Sequence, residues 1–266
     1  MQLAEKVFVV TGGGNGIGRE VVLGLMARGA RVAAVDLSES GLAETARLAA
    51  AAEGRLTTHV LNVTDRTAVE KLPGEVAAAH GQVDGVLNVA GIVQRFAHVQ
   101  DLSLDEIERV MAVNFWGVVN LTKAFLPVLL ERPRASLVNV ASMGALVPIP
   151  GQSLYGASKA AIKLLTEGLY AELRGTPVAV TVVFPGGIAT DILGNSGVSM
   201  PGAAGKMKGK QTSAASAGKQ IVEAVEKGSY RVRIGRDALL LDRLSRLMPQ
   251  RTTVLIANKM RPLLSS

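Results

Sequence analysis

Tyr155 and Lys159, four residues apart in Ser153-Leu-Tyr-Gly-Ala-Ser-Lys159, are the side chains best suited to proton chemistry in this sequence. On a helix, residues at that spacing share a face. A tyrosine at its free pKa of about 10 is a poor base at neutral pH. An ammonium about 4 Å away, at an effective dielectric near 20, favours the phenolate by roughly 4 kcal/mol, or about three pKa units. A positively charged nicotinamide would add to this, and Tyr155 would then exchange a proton with a substrate oxygen near neutral pH. Taken alone, a Tyr and a Lys on a helix are more often an exposed pair.

A second chemical feature opens the chain. The run Lys6 to Val10 leads into Thr11-Gly-Gly-Gly-Asn-Gly-Ile-Gly18 and then a helical pattern. Glycines between a strand and a helix let the backbone turn tightly and approach a diphosphate, which sits on the positive end of the helix. The strict G-x-G-x-x-G pattern fails in every register, and a P-loop fails because Gly18 is followed by Arg19-Glu20. The spacing that fits is T-G-x-x-x-G-x-G through Thr11, Gly12, Gly16 and Gly18. Asp36 closes the second β-branched run, 18 residues after Gly18. An acid there accepts hydrogen bonds from ribose hydroxyls and repels a 2′-phosphate, which selects NAD over NADP.

These residues need elements to hold them. Further β-branched runs lie at Arg31 to Val35, Leu56 to Leu61, Gly85 to Val89, Ser136 to Val140, Val178 to Phe184 and Tyr230 to Ile234. Between them stand helical segments at Gly16 to Arg28, Glu39 to Glu53, Asp65 to Ala79, Leu104 to Leu130 and Ser153 to Arg174. Alternation of this kind predicts repeated βαβ units and a parallel sheet. Near-continuous valine predicts helices on both faces of that sheet.

Composition removes other classes. The 266 residues contain no cysteine, which excludes a disulfide framework and Cys-ligated zinc. His59, His80 and His98 form no spaced cluster, so no metal site is indicated. The net charge of +7 lies within Lys227 to Arg261, where nine basic residues face only Asp237 and Asp242. One Trp, three Tyr and five Phe are too few for base stacking, and no nucleic-acid partner is expected. The first residues lack the pattern of a signal peptide. No run approaches the 18 or so apolar residues of a spanning helix; the nearest, Val118 to Leu130, is broken by Lys123 and Pro127. A cytoplasmic protein is expected.

Two stretches break the rhythm. Gly187 to Ser216 is rich in Gly, Ser, Ala and Lys, and is expected to be a mobile lid over the substrate. Gly194-Asn-Ser-Gly197, Pro201-Gly202 and Gly205-Lys-Met-Lys-Gly-Lys210 support that reading. Lys206, Lys208 and Lys210 are read as solvated lid residues, with attraction of an anionic substrate or acyl carrier as the alternative. From about 236 to 266 the chain forms a basic amphipathic extension. Leu239, Leu240, Leu244 and Leu247 share one side of a helix, Arg243 and Arg246 the other, and Pro249 ends it. Val254-Leu-Ile256 and Leu263-Leu264 continue the apolar pattern among Arg251, Lys259 and Arg261. Such a stretch suits peripheral contact with the inner surface of an anionic membrane or packing on another subunit.

With Asn88-Val-Ala-Gly91, Asn114, Ser142 and Pro185-Gly186 added in order, the chain from Val7 to about Asp191 resembles the short-chain dehydrogenase/reductase family, compact single-domain type. The resemblance implies a three-layer Rossmann fold with a doubly wound, seven-stranded parallel sheet, one domain spanning 1–266. It implies oxidoreductase activity on secondary alcohols and ketones and a homo-oligomer, dimer or tetramer, but no particular molecule; Asp36 makes NAD the expected cofactor, and a small to medium lipophilic substrate is expected. Tyr155 is then the general acid/base, while Lys159 lowers its pKa and holds the nicotinamide ribose. Ser142 stabilises the substrate oxygen, and Asn114 positions a water that relays protons to Lys159. The cofactor would be lined by Gly12, Asn15, Gly16, Ile17, Gly18, Asp36, Asn62, Val63, Asn88, Ala90, Gly91, Tyr155, Lys159, Pro185, Gly186, Ile188 and Thr190. Asn62 departs from the aspartate common in the family. Two alternatives are a dinucleotide-binding regulatory or scaffold protein without turnover, and an NADP-dependent ketoreductase of acyl substrates.

Overall fold

Residues 7–10, Val-Phe-Val-Val, are wholly buried and apolar on both sides of the strand they form. Phe8 and Val10 enter one core layer with Val21, Leu25, Ile221 and Val222. Val7 and Val9 enter another with Val69, Leu72, Leu121 and Phe125. A strand buried on both faces needs a helix layer on each side, and the rest of the chain supplies them.

The computed structural model describes residues 1–50, 54–198 and 211–264. In chain order the elements are β1 (Val7–Thr11), α1 (Gly16–Met26), β2 (Arg31–Asp36), α2 (Glu39–Ala49), β3 (Leu56–Val60), α3 (Arg66–His80), β4 (Gly85–Asn88), α4 (Leu104–Met111) and α5 (Gly117–Leu130). Then come β5 (Ala135–Val140), α6 (Ser153–Glu172), β6 (Val178–Pro185), β7 (Ile188–Ala189), α7 (Ile192–Asn195), β8 (Thr212–Ser213), α8 (Ala214–Lys227), β9 (Arg231–Ile234), α9 (Arg236–Leu247) and α10 (Pro249–Leu264). Seven strands form one sheet in the order β3-β2-β1-β4-β5-β6-β9, every pair parallel. The order reverses between β1 and β4, so the ends of those strands open the crevice where such sheets bind ligands.

The helix expected over Leu104 to Leu130 is divided. A capping box at Ser103 and Glu106 starts α4, and a π turn at Ala112–Trp116 separates it from α5. Taken as one helix, 104–130 reaches a mean hydropathy of 1.4 over an 18-residue window, long and apolar enough to cross a membrane. That corrects the expectation that no stretch comes near. In the fold, Leu121, Phe125 and Leu129 cover the sheet.

Both ends of the stretch from Gly187 to Ser216 carry regular structure. Ile188–Ala189 pairs in parallel with Thr212–Ser213, and α8 already begins at Ala214. Ser196, between α7 and the undescribed stretch, is buried; its hydroxyl accepts the Val93 N–H at 3.0 Å, and its carbonyl accepts from Arg109. Ser196 thus ties the end of α7 to the segment after β4 and to α4. Pro201, Gly202, Gly205, Lys206, Lys208 and Lys210 lie outside the described residues. In the C-terminal extension Pro249 follows the end of α9 and opens α10, a first-turn position where a missing N–H costs nothing.

Candidate functional site

The glycine loop is shaped by approaches that no side chain would allow. Gly12 has φ +71°, and a Cβ there would lie 3.0 Å from the Ala90 backbone. A Cβ on Gly18 would fall 2.0 Å from the Gly12 carbonyl oxygen. Asn15 caps α1 in extended conformation without a side-chain bond to the helix, so the first-turn N–H groups around Ile17 and Gly18 point toward any diphosphate on the loop. A Cβ on Gly16 would touch Thr190 Cγ2 at 3.4 Å, which brings the segment after β6 onto the loop.

Asp36 ends β2 beside this loop. Its carboxylate accepts the N–H of Gly14 and of Ser38, each at 2.9 Å. Arg19 is directed at the carbonyls of Gly14 and Gly41 and at Thr45. Val63 is buried and Asn62 exposed, and Asn62 Oδ1 accepts from its own turn, from the Thr64 N–H at 3.0 Å and hydroxyl at 2.9 Å. Asn88 is buried and donates to Asn139 Oδ1 at 2.7 Å, so its side chain ties β4 to β5. Thr11 Oγ1 accepts the N–H of Val89 and Ala90 at 3.1 and 3.2 Å, which fixes the backbone facing the loop.

The four proposed catalytic side chains converge one layer further on. A Cβ on Gly91 would lie 2.9 Å from Lys159 Nζ and 3.2 Å from Asn114 Oδ1. Asn114 sits in the π turn; its amide donates to the Ile92 carbonyl at 2.9 Å and to Ser158 Oγ at 3.0 Å, and its oxygen accepts the Ile92 N–H at 2.9 Å. Ser142 Oγ accepts the Gly144 N–H at 3.0 Å and hydrogen-bonds Tyr155. Lys159 is buried and donates to the Val140 carbonyl at 3.1 Å, with Nζ 6.0 Å from the Tyr155 ring centroid.

The electrostatics depart from the spacing argument. Burial pushes the Tyr155 phenol up, and the Ser142 hydrogen bond pulls it only part of the way back. Burial pushes Lys159 down to about 8. The ammonium leans on a backbone carbonyl rather than on the phenol, so in this state desolvation outweighs the expected attraction.

Pro185, Gly186, Ile188 and Thr190 lie at or just after the end of β6. A Cβ on Gly186 would lie 2.3 Å from Asp237 Oδ1, and Asp237 Oδ2 accepts the Gly187 N–H at 2.8 Å. Asp237 thereby fastens α9 to the cofactor side of the site. The sequence does not mark it as a site residue, nor does it mark Gln94 and Gln152. Gln94 Oε1 accepts the Tyr155 N–H at 2.8 Å, Gln94 Nε2 donates to the Gly151 carbonyl at 3.3 Å, and Gln152 Nε2 donates to the Gln94 carbonyl at 2.9 Å. No motif or spacing singles out these glutamines; only their burial does.

A parallel sheet reversing at β1 and β4, a glycine cradle and a Tyr-Lys pair beside it define a dinucleotide-binding oxidoreductase fold. The sequence pattern described as short chain dehydrogenase matches residues 6–201, and the chain belongs to that family. A Mycobacterium tuberculosis protein named as a putative oxidoreductase, SadH, is 39% identical over 257 residues, 91% of each chain. The 3-oxoacyl-[acyl-carrier-protein] reductase FabG of Thermotoga maritima is 35% identical over 190 residues, 71% of this chain and 77% of that one. A short chain dehydrogenase/reductase from Burkholderia phymatum, solved in complex with NAD, superposes with TM-score 0.86 at 26% identity, covering 94% of this chain and 96% of that one. One from Burkholderia cenocepacia, solved in complex with NADP, gives 0.80 at 25%, covering 96% and 99%.

Proposed function

We propose that this protein is an NAD-dependent oxidoreductase that interconverts a lipophilic secondary alcohol and a ketone. The observation that carries the reading is that Lys159 and Asn114 border Gly91 while Ser142 and Tyr155 border Gly144, with Lys159 Nζ 6.0 Å from the Tyr155 ring centroid, beside a loop whose Gly12 and Gly18 leave no room for a side chain. Gly12, Asn15, Gly16, Ile17 and Gly18 would hold the diphosphate, Asp36 the adenosine ribose, and Ala90, Gly91, Ile188 and Thr190 the nicotinamide half. Bound NAD supplies the hydride acceptor, and NADH the donor.

The chain's own groups handle the proton. Tyr155 takes it from the substrate hydroxyl in oxidation and returns it to the ketone oxygen in reduction. Ser142 donates to that same oxygen as charge builds on it. The Lys159 ammonium favours the phenolate, and Asn114, bonded to both the N–H and the carbonyl of Ile92, would position a water that relays protons to Lys159. NAD is preferred because a 2′-phosphate would meet the Asp36 carboxylate.

A cytoplasmic homo-oligomer, dimer or tetramer, with 1–266 acting as one dehydrogenase unit, belongs to the same proposal; the family commonly forms oligomers. The test is a screen of secondary alcohols and ketones with both NAD(H) and NADP(H), run on the wild type and on Tyr155→Phe. NAD-linked turnover that vanishes in the variant, with NAD binding retained, supports the reading. Undiminished turnover in Tyr155→Phe refutes it, and a wild type that binds NAD and turns over nothing favours the scaffold alternative.

A further inference from the structure

The charge of the C-terminal extension has a defined arrangement. Asp242, buried midway along α9, gathers Arg231 at 3.3 Å, Arg233 at 3.0 Å and Arg246 at 2.9 Å. Together with the wholly buried Ala238, it marks the side of α9 that faces the β9 edge. Positions 240 and 247 lie on the opposite side at 100° per residue. Leu240 and Leu247 are 59% and 78% exposed there, with Arg243 between them. On α10, Thr252 faces inward, while Val254 and Leu255 are 53% and 58% exposed. Arg251 and Lys259 stand near them, exposed. Arg243, Arg251 and Lys259 make no ion pair among the described residues, and from Arg243 to Ser266 the sequence holds no Asp or Glu.

We propose that this outer face of α9 and α10 docks on an anionic lipid bilayer, with the leucines and Val254 entering the acyl boundary and the three cations meeting headgroup phosphates. Exposed apolar side chains bracketed by cations that make no ion pair among the described residues match the chemistry of that surface. A second copy offering the same face would set like charges against each other with no acid to separate them. The location gives docking a purpose. Asp237 fastens the start of α9 to Gly187, and α9 packs against the turn Met143–Ala145 that follows Ser142. A bilayer on α9 therefore lies beside the site where a lipophilic alcohol would enter; this last step rests on the proposed function, whereas bilayer binding does not.

Vesicle sedimentation of the full chain tests it, using phosphatidylcholine alone and phosphatidylcholine mixed with phosphatidylglycerol. Removing α9 would also strip Asp237 and Asp242 from the fold, so surface substitutions are the proper variants. The expected result is pelleting with the anionic vesicles only, weakened by salt. It falls by about tenfold or more in Leu240→Gln/Leu247→Gln and in Arg243→Gln/Arg251→Gln/Lys259→Gln, with far-UV circular dichroism and NAD binding unchanged. Equal pelleting with both vesicles, none with either, or full pelleting by the leucine variant overturns the proposal. So does a lower sedimentation coefficient of the leucine variant in the absence of lipid, which assigns the face to a second copy. Vesicle binding without alcohol turnover would leave this proposal standing while removing the oxidoreductase reading.

Discussion

The side-chain oxygen of Gln94 accepts the backbone N–H of Tyr155 at 2.8 Å, a donor in the first turn of α6 that the helix itself leaves unpartnered. Gln152 closes the loop by donating to the Gln94 carbonyl at 2.9 Å. The pair welds the segment after Gly91 to the start of the helix that carries the phenol. Gln94→Ala is expected to leave that buried N–H unsatisfied and cost about 1–3 kcal/mol of stability. The shifted helix start is expected to lower kcat by about tenfold, with KM and NAD affinity little changed. Urea unfolding and steady-state kinetics read both, and an unchanged kcat would count against a positioning role.

The βαβ rhythm made the sheet legible, because buried parallel strands are short valine runs that local sequence displays. The glycine loop was equally legible, since Gly12 and Gly18 answer to backbone approaches that allow no alternative. Gln94 and Gln152 were not, because their partners lie 58 and 61 residues away and a single glutamine carries no period. The π turn around Asn114 holds neither Gly nor Pro within Ala112–Trp116, and the one glycine at the break, Gly117, follows it as the first residue of α5. The direction of Lys159 was hidden for a related reason. Four-residue spacing puts two side chains on a face, but not which acceptor the longer one reaches.

That direction sets a pH expectation. Alcohol oxidation needs Tyr155 deprotonated, so kcat/KM falls as pH drops below the apparent pKa of the Tyr155-Lys159 pair, a value that belongs to both groups. In the free protein burial already draws Lys159 down to about 8 and pushes the phenol up. Lys159→Met removes the cation and leaves the burial, so the acidic limb is expected to move to higher pH as well as drop in height. A pH–rate profile whose limb stays in place would show that Lys159 does not act on the phenol.

Asp36 should control the choice of nucleotide. Its carboxylate is held by the Gly14 and Ser38 N–H groups, so it has little freedom to swing away from a 2′-phosphate. Like charges in such contact cost several kcal/mol, and each 1.4 kcal/mol is about tenfold in affinity. Asp36→Ala is therefore expected to shift the ratio of kcat/KM for NADP over NAD upward by about tenfold or more. An unaltered ratio would assign selection to another residue.

The remaining expectation concerns stability. Thr57 Oγ1 bridges His80 Nε2 at 2.9 Å and His59 Nε2 at 3.0 Å. Burial pushes His80 below its ordinary pKa, reinforced by Arg31 and His59. Burial likewise lowers His59, against the pull of Glu75. Below about pH 6.5 the unfolded chain takes up protons on these rings that the folded chain still refuses. Their contribution is therefore complete above that pH and is lost as pH falls through the depressed folded values. The urea midpoint of the wild type should drop from neutral pH to about pH 5 by more than that of His80→Gln, which keeps a donor for Thr57 and has no proton to gain. Parallel drops in the two proteins would show that the carboxylates alone govern the acid side.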